Sequence, residues 1–204
     1  MPPRPIFAEV FAEQWGSLPG VLRAHYANRP NSHDRVVVEG HLDIVIHPLV
    51  KPLAPLMAAM GMLTPWSGTA VPCTVQFLSQ TDGHAFIFDR RFHFPSGKNV
   101  RFRSELVAKG PHDVIEIMRS GIGWRCRYDL DGARVVLRHK GYAWRLFGLD
   151  IPLPGLGLVV GRGEAWEEAT GDDRFNMFMA LRHPVFGILY SYGGTFTVAE
   201  VALG

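Results

Sequence analysis

Cysteine is scarce: Cys73 and Cys126 are the only two among 204 residues, and they do not form a CxxC pair. That excludes a disulfide scaffold or a zinc ribbon, and both thiols are expected to be small buried apolar groups in a reducing compartment. Charge of one sign is lacking as well. Lys and Arg number 21 against 19 Asp and Glu, for a net +2. The arginines also neighbour acids, as in Asp89-Arg90-Arg91 and Arg103-Ser104-Glu105. A nucleic-acid binder concentrates its cations on one face, so no nucleic-acid partner is expected. Long apolar runs are missing too. Leu49 to Leu63 is broken by Pro52 and Pro55 and falls short of the ~20 residues that span a bilayer. The opening Met1-Pro2-Pro3-Arg4-Pro5 has no apolar signal core. No transmembrane segment is expected, and the cytoplasm is the expected compartment. Finally, there is no GxSxG elbow and no P-loop. Gly155 to Gly161 has GxGxxxG spacing, but it follows Pro152 and Pro154 rather than a strand. It reads as a loop leading to a strand around Trp166. With no standard catalytic motif, the reading leans away from an enzyme, and no cofactor is implied.

The 47% apolar content is enough for a sizeable core, and 20% charged residues argue against disorder. From Pro5 to Tyr26, Ile6, Val10, Leu18, Leu22 and Tyr26 recur at helical intervals, interrupted near Gly16 and Pro19-Gly20. Two short helices joined by a turn are expected. At Arg35 the period becomes two: Val36, Val38, Leu42, Ile44 and Ile46 fall on one side, with Glu39, His41, Asp43 and His47 on the other. A helical stripe, Leu49, Leu53, Leu56, Met60 and Leu63, interrupts at about 48–66, its regular part expected from Pro55 to Gly61. Beyond Val71, turn signals such as Asp82-Gly83, Gly110-Pro111 and Asp131-Gly132 punctuate short strands about ten residues apart. About nine or ten strands in an antiparallel meander are too many for a flat sheet. The expected fold is mainly β (α+β): an antiparallel β-barrel or strongly curved sheet, with N-terminal helices and one helix packed over an opening. Residues 1–204 are expected to form a single domain, with a helical segment 1–34 and a β body 35–201.

Candidate chemistry centres on Phe86, Phe88, Arg90, Phe92 and Phe94, which share one face of a strand. A guanidinium among phenyl rings is either paired within a core or anchors a ligand in a cavity, because an unpaired buried charge costs several kcal/mol. Glu105 or Glu116 could pair with it. Under the ligand reading, Arg90 and Arg103, with Glu105, Glu116 and Tyr190, would contact a small apolar or amphipathic molecule inside the barrel. A second reading takes His41-Leu42-Asp43 as the HxD pair of a metal-dependent oxygenase, completed by His139 or His183. A third makes the 48–66 segment or an outer sheet face a docking surface.

The chain also resembles domain-of-unknown-function family 4166. The matching residues are Ser17-Leu18-Pro19 with Arg23-Ala24-His25, Val38-Glu39-Gly40, Pro72, Arg90-Arg91-Phe92 and Phe102-Arg103-Ser104. They continue with Leu146-Phe147-Gly148, Ile151-Pro152-Leu153-Pro154, Glu164, Arg174-Phe175 and His183-Pro184 through Gly187 and Tyr190 to Tyr192-Gly193-Gly194. One position departs: Phe88 stands where the family pattern has tryptophan, which removes an indole donor. The resemblance implies no established reaction. Family members fused to reductase-like domains imply a reductase-type partner.

Overall fold

Side-chain alternation across the pleat decides most of the chain. In β1 (Arg35–Ile46), Val36, Val38, Leu42, Ile44 and Ile46 are buried while Glu39, His41, Asp43 and Val45 are exposed. The computed structural model describes residues 3–204, so residues 1 and 2 of the expected helical segment lie outside it. The strands that follow are β2 (Gly68–Ser79), β3 (Phe86–His93), β4 (Asn99–Ala108), β5 (Asp113–Met118), β6 (Ile122–Asp131) and β7 (Arg134–Leu146). They continue with β8 (Leu149–Pro152), β9 (Arg162–Ala169), β10 (Arg174–His183) and β11 (Gly187–Ala202). Each pairs antiparallel with its neighbour, β7 pairs past β8 with β9, and β11 returns to β1. Ten strands thus close a barrel, and β8 is an extra strand on the far half of β7.

The barrel's last pairing needs glycine. Gly40 faces Phe196 and Gly194 faces Leu42 across the β1–β11 contact. A Cβ on Gly194 would come within 1.9 Å of the His41 carbonyl oxygen, and one on Gly40 within 2.2 Å of that of Thr195. Only a residue without a side chain lets the backbones approach so closely.

Because the strands alternate in direction, the connections sort to two ends. One end is plugged by α1 (Ile6–Phe11) and α2 (Gly20–His25), joined by a 3-10 stretch (Ala12–Ser17). Each helix starts directly after a proline, Pro5 or Pro19, whose fixed φ and missing N–H suit a helix start. The Val10 carbonyl accepts from the His112 N–H at 2.6 Å, and the Gln14 side chain from the Leu130 N–H at 3.0 Å. Phe7 packs its ring 4.9 Å from Phe86 and 5.4 Å from Tyr128, filling that end with aromatic core.

The other end carries the connections 47–67, 94–98, 119–121, 153–161 and 184–186. Here the expected helix is one 3-10 turn (Lys51–Leu53) and α3 (Ala54–Ala59), each with a proline in its first turn, and Gly61 at φ 67° follows the last turn. The loop expected at 155–161 is corrected: α4 (Gly157–Val160) is a single helical turn. Leu158 and Val159 donate their N–H groups to Gly155 and Leu156, and Gly161 stops the turn at φ 88°. A four-residue helix is too short to show a period in sequence. Among the described residues no helix is long and apolar enough to cross a membrane.

Candidate functional site

The barrel does not fill. Above the aromatic plug a cavity of about 290 Å³ runs up the interior, with predominantly apolar walls supplied by residues such as Phe77, Phe86, Leu106, Leu137, Met177 and Leu181. It reaches α3 and α4, where Leu53, Leu56 and Val159 both line it and stand exposed, so it opens between these two helices. Its volume falls at the low end of ordinary small-molecule sites, about 300–1,000 Å³.

Two polar stations interrupt the apolar wall. At the first, strand alternation turns Arg90 of β3, Ser104 of β4 and Glu116 of β5 inward side by side. Arg90 Nη2 donates to Glu116 Oε1 at 2.6 Å and also to Ser104 Oγ, while Ser104 itself donates to Glu116 Oε1 at 2.6 Å. The rings of Phe88 and Phe102 sandwich the guanidinium, with centroids 3.8 and 3.7 Å from Cζ. Burial works against the Arg90 charge, but Glu116 and Tyr192 outweigh it and raise its pKa. The pair uses one guanidinium nitrogen rather than two, and Arg90 Nε is left without a partner. The Tyr190 hydroxyl also lacks one.

At the second station Glu167 of β9 meets the helical plug. Its Oε2 accepts from the Tyr26 hydroxyl at 2.7 Å and lies 3.8 Å from His25 Nε2, too far for a hydrogen bond. Burial pulls His25 down to about 3, so the ring is neutral, and its Nδ1 has no partner. Burial lifts Glu167 to about 7, against the opposing hydrogen bond from Tyr26. A raised carboxyl pKa favours the protonated native state. Its contribution is therefore complete below the unfolded value near 4.5 and is lost as pH rises to about 7. At 1.36 kcal/mol per unit that is an upper bound of about 3 kcal/mol. Glu167→Gln is expected to flatten urea stability between those pH values and to raise it at neutral pH. An unchanged pH profile would contradict the assignment.

The described residues offer no activated thiol: burial pushes Cys73 up to about 12 and lifts Cys126 as well. The oxygenase reading is corrected. His41 and Asp43 lie on the outer face of β1, where Asp43 Oδ1 accepts from the Ala70 N–H at 2.8 Å. His183 ends β10, its ring bonded to Leu158 O and to the Val185 and Phe186 N–H groups. His139 accepts from Trp124 Nε1 at 3.0 Å. No three His, Cys, Asp or Glu side chains among the described residues gather as a metal set.

The sequence profile of a domain of unknown function, DUF4166, matches residues 18–196. The chain belongs to this family. No curated protein matches it. Among solved structures, a mutant of the fluorescent protein UnaG is 12% identical, with 80% of this chain and 94% of that one covered and a TM-score of 0.35. A putative thioesterase II from Thermobifida fusca YX is 8% identical, covering 82% and 79%, at 0.19. The dehydratase domain of the polyketide PpsC from Mycobacterium tuberculosis is 10% identical, covering 89% and 84%, also at 0.19. Scores this low say nothing about activity.

In this DUF4166 chain the residues carrying the resemblance divide by strand face. Arg90, Phe92, Phe102 and Ser104 are buried, whereas Arg91 and Arg103 are exposed. That corrects two expected ligand contacts: Arg103 and Glu105 face solvent, because the inward parity of β4 belongs to Phe102, Ser104 and Leu106. Glu116 and Tyr190 line the cavity with Arg90. Phe88 lies against the Arg90 guanidinium, where it needs no hydrogen bond. His25, Tyr26 and Glu167 were not anticipated. Glu167 lies 141 residues from Tyr26 in the chain, and only the placement of α2 inside the barrel joins them.

Proposed function

We propose that the barrel binds one small, largely apolar molecule carrying an uncharged hydrogen-bond acceptor, such as an ester, ketone or alcohol oxygen. The observation that carries this reading is the roughly 290 Å³ apolar hollow open between α3 and α4. The charge balance refines it. Arg90 is already neutralised by Glu116, so a carboxylate ligand would bring an uncompensated charge into a low-dielectric interior. A neutral oxygen instead suits the spare donors, Arg90 Nε–H and the Tyr190 hydroxyl, which have no partner of their own. Titration with an apolar fluorescent probe, then competition with long-chain methyl esters, alcohols and fatty acids, tests this. One saturable site per chain, displaced best by the neutral competitors, supports it. A response that never saturates would overturn it, and preference for the fatty acid would overturn the polarity. The reductase-type partner implied by the family rests on the company its sequences keep, and co-migration of the two proteins on size exclusion would be its test.

A further inference from the structure

The apolar interior continues onto the surface. Around the opening Leu53, Leu56, Leu158, Val159, Val185 and Phe186 are all more than half exposed. They come from three connections around the one opening: His183 binds the Leu158 carbonyl and so ties the β10–β11 turn to α4, while the His47 N–H binds the Leu189 carbonyl of β11 and holds the start of the 47–67 connection beside that strand. Large exposed apolar side chains gathered at one place mark a contact surface.

The charges around the opening indicate what covers it. The five connections at this end contain Lys51, Lys98 and Arg119 and not one acidic residue. Asp150, on the adjoining β8, is bound by Arg145 and Lys109. At the plugged end the loops carry Asp34, Asp82, Asp172 and Asp173, and α1 and the stretch after it add Glu9 and Glu13, which together outnumber Arg4, Arg23, Arg29 and Lys109 there and leave that end net negative. A molecule with net charge of only +2 is thus polarised along its axis, with cations beside the apolar opening. Apolar side chains ringed by Lys and Arg are the surface that settles into the interface of an anionic bilayer.

We propose that the α3–α4 opening docks on anionic phospholipid membrane, so that an apolar molecule passes between bilayer and cavity without crossing water. This rests on the cavity reading but can fail separately from it. The test is flotation of the full chain with phosphatidylcholine vesicles with and without phosphatidylserine, run beside the probe titration. Binding to the serine-containing vesicles, weakened by salt, is expected. Lys51→Glu with Phe186→Ser, both outside the cavity wall, should weaken it roughly tenfold or more and leave probe binding in solution unchanged. Normal probe binding without vesicle binding overturns the docking and spares the cavity reading. Vesicle binding without a probe site overturns the cavity reading. Equal binding to both vesicle types, or a concentration-dependent dimer in its place, would mean that another surface or a second copy covers the opening, and the docking proposal falls.

Discussion

Glu116→Ala is expected to destabilise the protein by about 3–5 kcal/mol, the usual cost of leaving one member of a buried ion pair alone. The Arg90 side chain is only 4% exposed and cannot shed its proton. The faces of Phe88 and Phe102 recover up to about 2 kcal/mol, so the lower half of that range is favoured. Arg90→Met should cost less than Glu116→Ala, because a carboxyl left alone beside Ser104 can take up a proton. The double variant Arg90→Met with Glu116→Leu should fall within about 1 kcal/mol of the native protein, since apolar replacement of a buried pair is often neutral. Urea unfolding of all four proteins measures these costs side by side. Equal costs for the two single changes would mean that water reaches the pair and that the interior is wetter than its walls imply.

Ala165→Phe should weaken binding of the apolar probe roughly tenfold or more, about 1.4 kcal/mol at least, with little loss of fold. Ala165 lies on the inner wall of β9, opposite Leu137 and Met179, and lines the cavity. A phenyl ring there enters open space, so the ~1–3 kcal/mol cost of overpacking a filled core should not arise. Val45→Phe, which adds volume on the exposed face of β1, is the control and should leave the titration unchanged. If Ala165→Phe binds the probe like the native chain, the probe is not in the barrel.

The architecture was readable because period-two patterning is local, and it continues from Val36 to Phe196. Arg90 stood out because a cation shares its strand face with four phenylalanines. Parity on β4 was harder. Its two faces, Arg101-Arg103-Glu105 and Phe102-Ser104-Leu106, are equally regular. Charge alone does not tell them apart, and Phe102 and Leu106 flanking Ser104 are the better signal for the inside. Nothing local marks Glu167. It follows Trp166 and precedes Glu168, and only the spacing Ala165, Glu167, Ala169 hints that it points inward. Its partners Tyr26 and His25 arrive from a helix whose docking no sequence period encodes. The cavity was equally out of reach, because alternation says which residues turn inward but not whether they meet.

The β1–β11 contact has a consequence for how the chain reaches this state. It joins Arg35 to Ala202, and α2 meanwhile rests on β1, β9, β10 and β11. The first and last thirds of the polypeptide therefore depend on each other, and no stretch that has left the ribosome early can finish its wall alone. Such a high contact order predicts slow maturation with an unpaired β1 edge until nearly all 204 residues are available. Loss of the final strand would leave two open edges prone to joining other chains.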